Sequence, residues 1–282
     1  INEPLTTARF SALYGVWYPN ARDDRAFGAA IVNQMLGYLL AVERIREIRP
    51  DAQFLITEDL QNFVAADARA NAYADHKRER SYLSIDLACG GVSSAHPLWS
   101  YLKDVCGVSI ARLESVRRLA HPPDLIGWNY YPNSERYLRT NADGTIENRS
   151  LFDALAVTLD PKPMLRAAWQ RFGIPMALSE VHVMGTHRER ALWLGQRYAD
   201  ACALRAEGVD LRAFGAWAAF GMVDWASLLC ERRNHIEDGL FTCEPSGREP
   251  QLTIAGETFR SLVRGILPAS SGAGWWERER SA

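Results

Sequence analysis

The sequence lacks a strong charge of either sign. Lys and Arg number 32 and Asp and Glu 34, a formal net charge of -2. That balance excludes a basic nucleic-acid-binding domain and an acidic disordered tail. No run of 18 apolar residues is present, so no membrane span is expected. The start, Ile1-Asn2-Glu3-Pro4, has no basic segment with an apolar run behind it, so no signal peptide is visible. The expected location, read from the cysteines and not from this start, is cytoplasmic. No Gly-x-Gly-x-x-Gly follows the first strand candidate and no Walker loop exists, which argues against a nucleotide-binding fold. The five cysteines (Cys89, Cys106, Cys202, Cys230 and Cys243) are scattered, with no metal-ligand spacing. They read as reduced thiols, and neither a metal nor a cofactor is expected.

What is present is an ample apolar share, 48% of 282 residues, with ordinary glycine and proline usage. Asp23 to Arg49 has the apolar spacing of a long helix, through Ile31, Met35, Tyr38, Val42, Ile45 and Ile48. Asp23 or Asp24 can cap it and Pro50 stops it. Residues 53–57 form a short apolar run ending at Glu58-Asp59, which suits a buried parallel strand. Residues 62–88 read as helical, and 97–119 as one or two further helices. The next strand is 124–131, followed by a turn at 141–144 and a helix at 163–172 that Gly173 caps. Then come a strand at 175–180, a helix at 188–207, a strand candidate at 211–220 and a last helix at 253–266. Strands alternating with helices predict parallel β/α units. Residues 268–282 read as a loose tail around Trp275-Trp276.

In a barrel of such units, chemistry gathers at the C-terminal ends of the strands. Glu3 stands at the start, Glu58 and Asp59 end one strand, and Asn129 and Tyr131 end the next. Glu180 and His182 follow the third strand, and Trp217, Asp224 and Trp225 the fourth. Strand period puts Asn129 and Tyr131 on one face, and Glu180 and His182 on one face. An inward row that changes from Met176 and Leu178 to Glu180 and His182 marks a pocket rim. Two carboxylates across a cleft can cleave a glycosidic bond, retaining configuration at about 5–5.5 Å separation and inverting it at about 6.5–9.5 Å. Spacing alone does not say which carboxylates pair; Glu58, Asp59 and Asp224 qualify beside Glu3 and Glu180.

Four segments together resemble family 1 glycoside hydrolases, a family of (β/α)8-barrel retaining glycosidases. Asn2-Glu3-Pro4 is similar to their acid/base motif, and 124–131 to their sixth-strand segment. Leu178-Ser179-Glu180 resembles the nucleophile segment. Trp217 with Asp224-Trp225 resembles the eighth-strand segment. Gly15 to Pro19 and Arg22-Asp23-Asp24 resemble a divergent branch, sometimes fused to a sugar-nucleotide reductase-like domain.

The resemblance implies a retaining exo-β-glycosidase acting on a small carbohydrate or glycoside. Glu3 would be the general acid/base and Glu180 the nucleophile. Asn2 would bind the sugar 2-hydroxyl, and Tyr131 would hydrogen-bond the nucleophile. Asn129 would line the pocket, Trp217 would floor it, and Asp224 and Trp225 would meet the outer hydroxyls. The sequence departs from the family where Val181-His182 follows the nucleophile, where Leu5 follows Pro4, and where Asp224 replaces a glutamate. His182 would replace a lost sugar contact or support Glu180.

The same resemblance implies a TIM-barrel-type α/β fold. Residues 1–267 would be its C-terminal half, from the end of strand four through strand eight. The missing half, or an oligomer, would cover open sheet edges, and activity would need that half. The alternatives are a non-hydrolytic sugar-binding or regulatory barrel, an inactive fragment, or an unrelated open α/β sheet.

Overall fold

A computed structural model describes residues 1–155, 157–243, 247–267 and 272–277. The helices are α1 (Pro4–Ala8), α2 (Asp24–Ile48), α3 (Ala68–Ser81), α4 (Leu83–Ala88), α5 (Ile110–Leu119), α6 (Leu151–Ala154), α7 (Lys162–Phe172), α8 (His187–Ala206) and α9 (Ile254–Val263). The strands are β1 (Leu55–Asp59), β2 (Asn62–Ala65), β3 (Leu125–Tyr130), β4 (Glu135–Thr140), β5 (Ile146–Ser150), β6 (Met176–Val181), β7 (Leu211–Phe214), β8 (Met222–Val223) and β9 (Ile236–Glu237). The chain forms two compact units. One comprises Ile1–Asp59 and Asp67–Gly127, the other Leu60–Ala66 and the chain from Trp128 onward.

In the first unit α2 follows its sequence pattern. Asp23 caps it, accepting from Arg25 N at 3.2 Å and Ala26 N at 3.1 Å. Phe27, Ile31, Val32, Met35 and Leu39 are buried along one face. By length and hydropathy α2 could cross a membrane, which corrects the expectation that no segment could. Alanines between its larger residues raise the mean hydropathy without a continuous apolar run. Phe27 to Val42 supply the core face, whereas Ile45 and Ile48, expected on that face, are exposed in the last turns, and Leu40 is exposed too. β1 starts two residues later than expected, so Glu58 and Asp59 lie within the strand. Asn2 bridges to Thr57 in parallel, which holds the entering chain along β1. The Phe54 carbonyl accepts from Asp124 N and Leu125 N, which starts β3 alongside. The one or two helices expected over 97–119 are two: a π-helical turn at Tyr101–Val105 and, after Gly107 turns the chain at φ 67°, α5, which Ser109 caps.

In the second unit the end of β3, then β6, then β7 follow in order across a sheet. β6 and β7 run parallel, with Met176 opposite Leu211 and Leu178 opposite Phe214. The strand expected to reach residue 220 stops at Phe214, yet its backbone still tracks β6. Gly215 N donates to Leu178 O at 2.7 Å and Trp217 N to Val181 O at 3.2 Å. A Cβ on Gly215 would lie 2.4 Å from Ser179 O, so only glycine fits this approach.

A second sheet, β2-β4-β5, was not expected. β2 pairs in parallel with β4, and β4 pairs antiparallel with β5 across the expected turn at 141–144. The helical reading of 62–88 therefore begins only at α3, where Asp67 caps Ala70 N. The aromatic core centres on Trp193 of α8, which stacks on Tyr130 at 5.4 Å and meets Trp276 edge-on at 4.9 Å. Residues 272–277 of the expected loose tail are thus packed. Trp276 is buried and donates from Nε1 to Gln196, because an indole this large gains more from burial than a short segment loses on ordering. The remainder of that tail lies outside the described residues.

Candidate active site

Glu180 is placed by β6, one residue before its end, where pairing with the backbone after β7 fixes the strand. The Tyr131 hydroxyl donates to Glu180 Oε2 at 2.6 Å. Tyr131 itself sits just past β3, and its N–H donates to Ser134 Oγ at 3.2 Å. A hydroxyl donor on a carboxylate favours the ionised form, the state a nucleophile needs. Asn129 is fully buried and accepts from Ser179 Oγ at 2.6 Å, so its amide is anchored to the neighbour of Glu180.

Aromatic rings stand beside this carboxylate. Trp217 meets Tyr131 edge-on at 6.3 Å and His182 at 4.9 Å. Trp225 stacks on Trp217, with centroids 5.2 Å apart and planes 27° apart. Flat indole faces suit the C–H face of a sugar ring. The peptide bond between Trp217 and Ala218 is cis. His182 is buried, and its Nε2 lies 2.5 Å from Glu237 Oε1. Glu237, on β9, is the residue that sequence reasoning missed. Burial pushes its pKa up, but the hydrogen bond and charge of His182, with Arg190 and His235 nearby, bring it below the usual value. Only an acidic residue in a motif-free stretch, 55 positions from His182, could have hinted at it.

Asp224 has a different environment from the one expected. Its Oδ1 accepts from His235 N at 2.8 Å, and its Oδ2 from Arg233 N at 3.0 Å and Asn234 N at 3.1 Å. Desolvation opposes its charge, but these three N–H groups outweigh it and lower the pKa. A carboxylate has about four acceptor sites, so most of this one is engaged in organising the loop before β9. Tyr131, Glu180, His182, Trp217 and Trp225 are thus brought together, with Asp224 next in sequence to Trp225.

Asn2 and Glu3 belong to the first unit. Thr57 Oγ1 donates to Asn2 Oδ1. Glu3 N donates to Thr57 O at 2.8 Å, and Glu3 holds a left-handed backbone at φ 42°. That conformation is uncommon for a residue with a Cβ and is worth a functional question. Pro4 then opens α1, where its missing N–H costs nothing. Glu58 is fully buried beneath this turn and accepts from Leu5 N.

No family model matches the sequence, and no curated protein matches it either. Solved structures do. A beta-glucosidase from Thermotoga maritima in complex with cyclophellitol superposes with a TM-score of 0.76 at 18% identity, over 94% of this chain and 62% of that one. The family 1 b-glucosidase from the same organism gives 0.75 at 17% identity, over 94% and 62%. A complex of the beta-glucosidase with methyl acetic acid-substituted glucoimidazole gives 0.77 at 16% identity, over 95% and 63%.

The expected likeness to family 1 glycosidases is therefore borne out in the fold: an α/β fold with a parallel sheet and helices. No closed barrel is seen among the described residues. The chain spans 62% of the length of the first of these structures.

Proposed function

We propose that this chain carries the site of a retaining β-glycosidase, with Glu180 as nucleophile and Glu3 as general acid/base. The observation that carries this reading is the 2.6 Å hydrogen bond from the Tyr131 hydroxyl to Glu180, beside the Trp217 and Trp225 indoles. In this reading the parallel strands correspond to the fifth to eighth strands of a (β/α)8 barrel, and the substrate is a small carbohydrate or glycoside. Glu180 attacks the anomeric carbon as Glu3 gives its proton to the leaving oxygen, and the glycosidic bond breaks. Glu3, now a carboxylate, takes a proton from water. The resulting hydroxide equivalent attacks the anomeric carbon and releases Glu180. Trp217 floors the sugar, Trp225 extends the platform, and Asn2 and Asn129 hold hydroxyls. His182, paired with Glu237, fixes the edge of Trp217.

The test is hydrolysis of aryl β-glycosides by the parent (the protein extended at its N-terminus to include the other barrel half) and by its Glu180→Ala variant. The expected loss is roughly 10³-fold or more, with azide restoring turnover as the α-glycosyl azide, because azide takes the place of Glu180 in a single inverting displacement. A variant that retained parental hydrolysis would remove Glu180 from the mechanism. One observation favours a second reading, a barrel that binds carbohydrate without cleaving it: Asp224 gives most of its acceptor capacity to loop N–H groups. A parent protein that binds glycosides but turns none over would select that reading.

A further inference from the structure

Glu58 is buried in β1, and its two oxygens differ sharply. Oε1 accepts from Leu5 N at 2.8 Å and from Ser84 Oγ at 2.6 Å. Oε2 is equally buried and, among the described residues, meets no hydrogen-bonding group. The charged groups acting on it come from the entering chain: Glu3, which opposes its charge, and Arg9, which favours it. Arg9 directs its guanidinium to Thr6 at 2.8 Å and Asp59 at 3.5 Å. From α4 the contact is the neutral Ser84. A negative charge here would be desolvated, half-bonded and close to a second carboxylate, an arrangement that favours the neutral acid.

We propose that Glu58 is a positioning residue: a neutral carboxylic acid that clamps the Glu3 turn to α4 through Leu5 and Ser84 and keeps negative charge from beneath Glu3. This rests on the reading of Glu3 as the acid/base. Burial is the largest influence on Glu58 and, with the charge of Glu3, carries its pKa to about 8 against the opposing hydrogen bonds and Arg9.

Thermal unfolding of the parent, Glu58→Gln and Glu58→Ala between about pH 5 and pH 8 tests the charge state. A folded pKa above the unfolded one means the native state keeps a proton that the unfolded chain releases. The parent then loses stability as pH rises through this window. Glu58→Gln cannot titrate, so its Tm should gain several degrees on the parent between the two ends. Parallel Tm curves would overturn the proposal.

Aryl β-glycoside kinetics test the clamp. Glu58→Gln, which keeps an acceptor for Leu5 and Ser84, should retain most of kcat. Glu58→Ala should lose about tenfold or more at a KM within about twofold. Equal losses in the two variants would also overturn it. Glu3→Gln is measured alongside. If it hydrolyses as the parent does, the reading of Glu3 fails, while the Tm comparison still decides the state of Glu58.

Discussion

The Tyr131–Glu180 contact joins a neutral donor to a carboxylate that must stay ionised to attack. Tyr131→Phe removes that donor and nothing else of similar size. Hydrogen bonds to charged groups contribute about 1.5–3 kcal/mol, so kcat should fall roughly 10- to 100-fold with KM little changed. Steady-state kinetics on an aryl β-glycoside measure this, and an unchanged kcat would detach Tyr131 from catalysis. Glu237 allows a test by stability. Its folded pKa is lowered because His182 offsets the burial penalty. The sign follows: the native state gives up this proton more readily than the unfolded chain, whose glutamates titrate near about 4.3. The stabilisation is thus fully present above that pH and fades as pH falls through the lower folded value. Tm differences between the parent and Glu237→Gln should be constant near neutrality and shrink on acidification below about pH 4. A difference that grows in acid would contradict the pairing.

At the scale of elements, helix α2 contains a paired experiment. A Cβ on Gly28 would sit 2.5 Å from Cys106 Cβ and 3.0 Å from Val108 Cγ2, atoms too close to the backbone to move cheaply. Overpacking of this kind costs about 1–3 kcal/mol, more than the ~1 kcal/mol of helix propensity that alanine adds. Gly37, nine positions on in the same helix, has nothing within 4 Å of its would-be Cβ. Gly28→Ala should therefore lower Tm, and Gly37→Ala should raise it. Two shifts of the same sign would mean that propensity, not packing, governs this helix.

The same elements show what was legible in the sequence. α2, α7 and α9 were legible because their signals are local: Asp23 and Thr253 at the N-caps, Gly173 at φ 60° after α7. β2 was not. Four residues beside an alanine-rich helix carry no period, and its partner β4 lies about 70 residues away. In the site, the strand-end positions of Glu180 and Tyr131 could be read from order and spacing. Their hydrogen bond was expected from resemblance. Glu237 could not be read, because burial against His182 is a tertiary fact. Asp224 kept its place but gained a loop-organising role, since backbone N–H groups leave no mark on a sequence.

At the scale of the whole molecule, the sheet of the second unit does not close. β7 pairs with β6 on one side, and among the described residues no strand pairs with its other side. An unpaired strand offers a row of backbone donors and acceptors to any second strand. Arg212 protects this edge in part, but it is held by Asp210 at 2.7 Å, and Ala213 beside it is exposed and small. A strand of four residues makes few hydrogen bonds, so pairing between copies should be weak and concentration-dependent rather than permanent. Sedimentation velocity over a hundredfold concentration range should show the average mass rising toward a dimer. Ala213→Lys places a charge on the edge with little effect on the buried side, so it should move that rise to at least about tenfold higher concentration, a shift of ~1.4 kcal/mol. Added salt should restore association in the variant, because screening weakens lysine–lysine repulsion between copies. If both proteins sediment as monomers at every concentration, the β7 edge is already protected by its own side chains, and the open sheet is a stable end state of this chain.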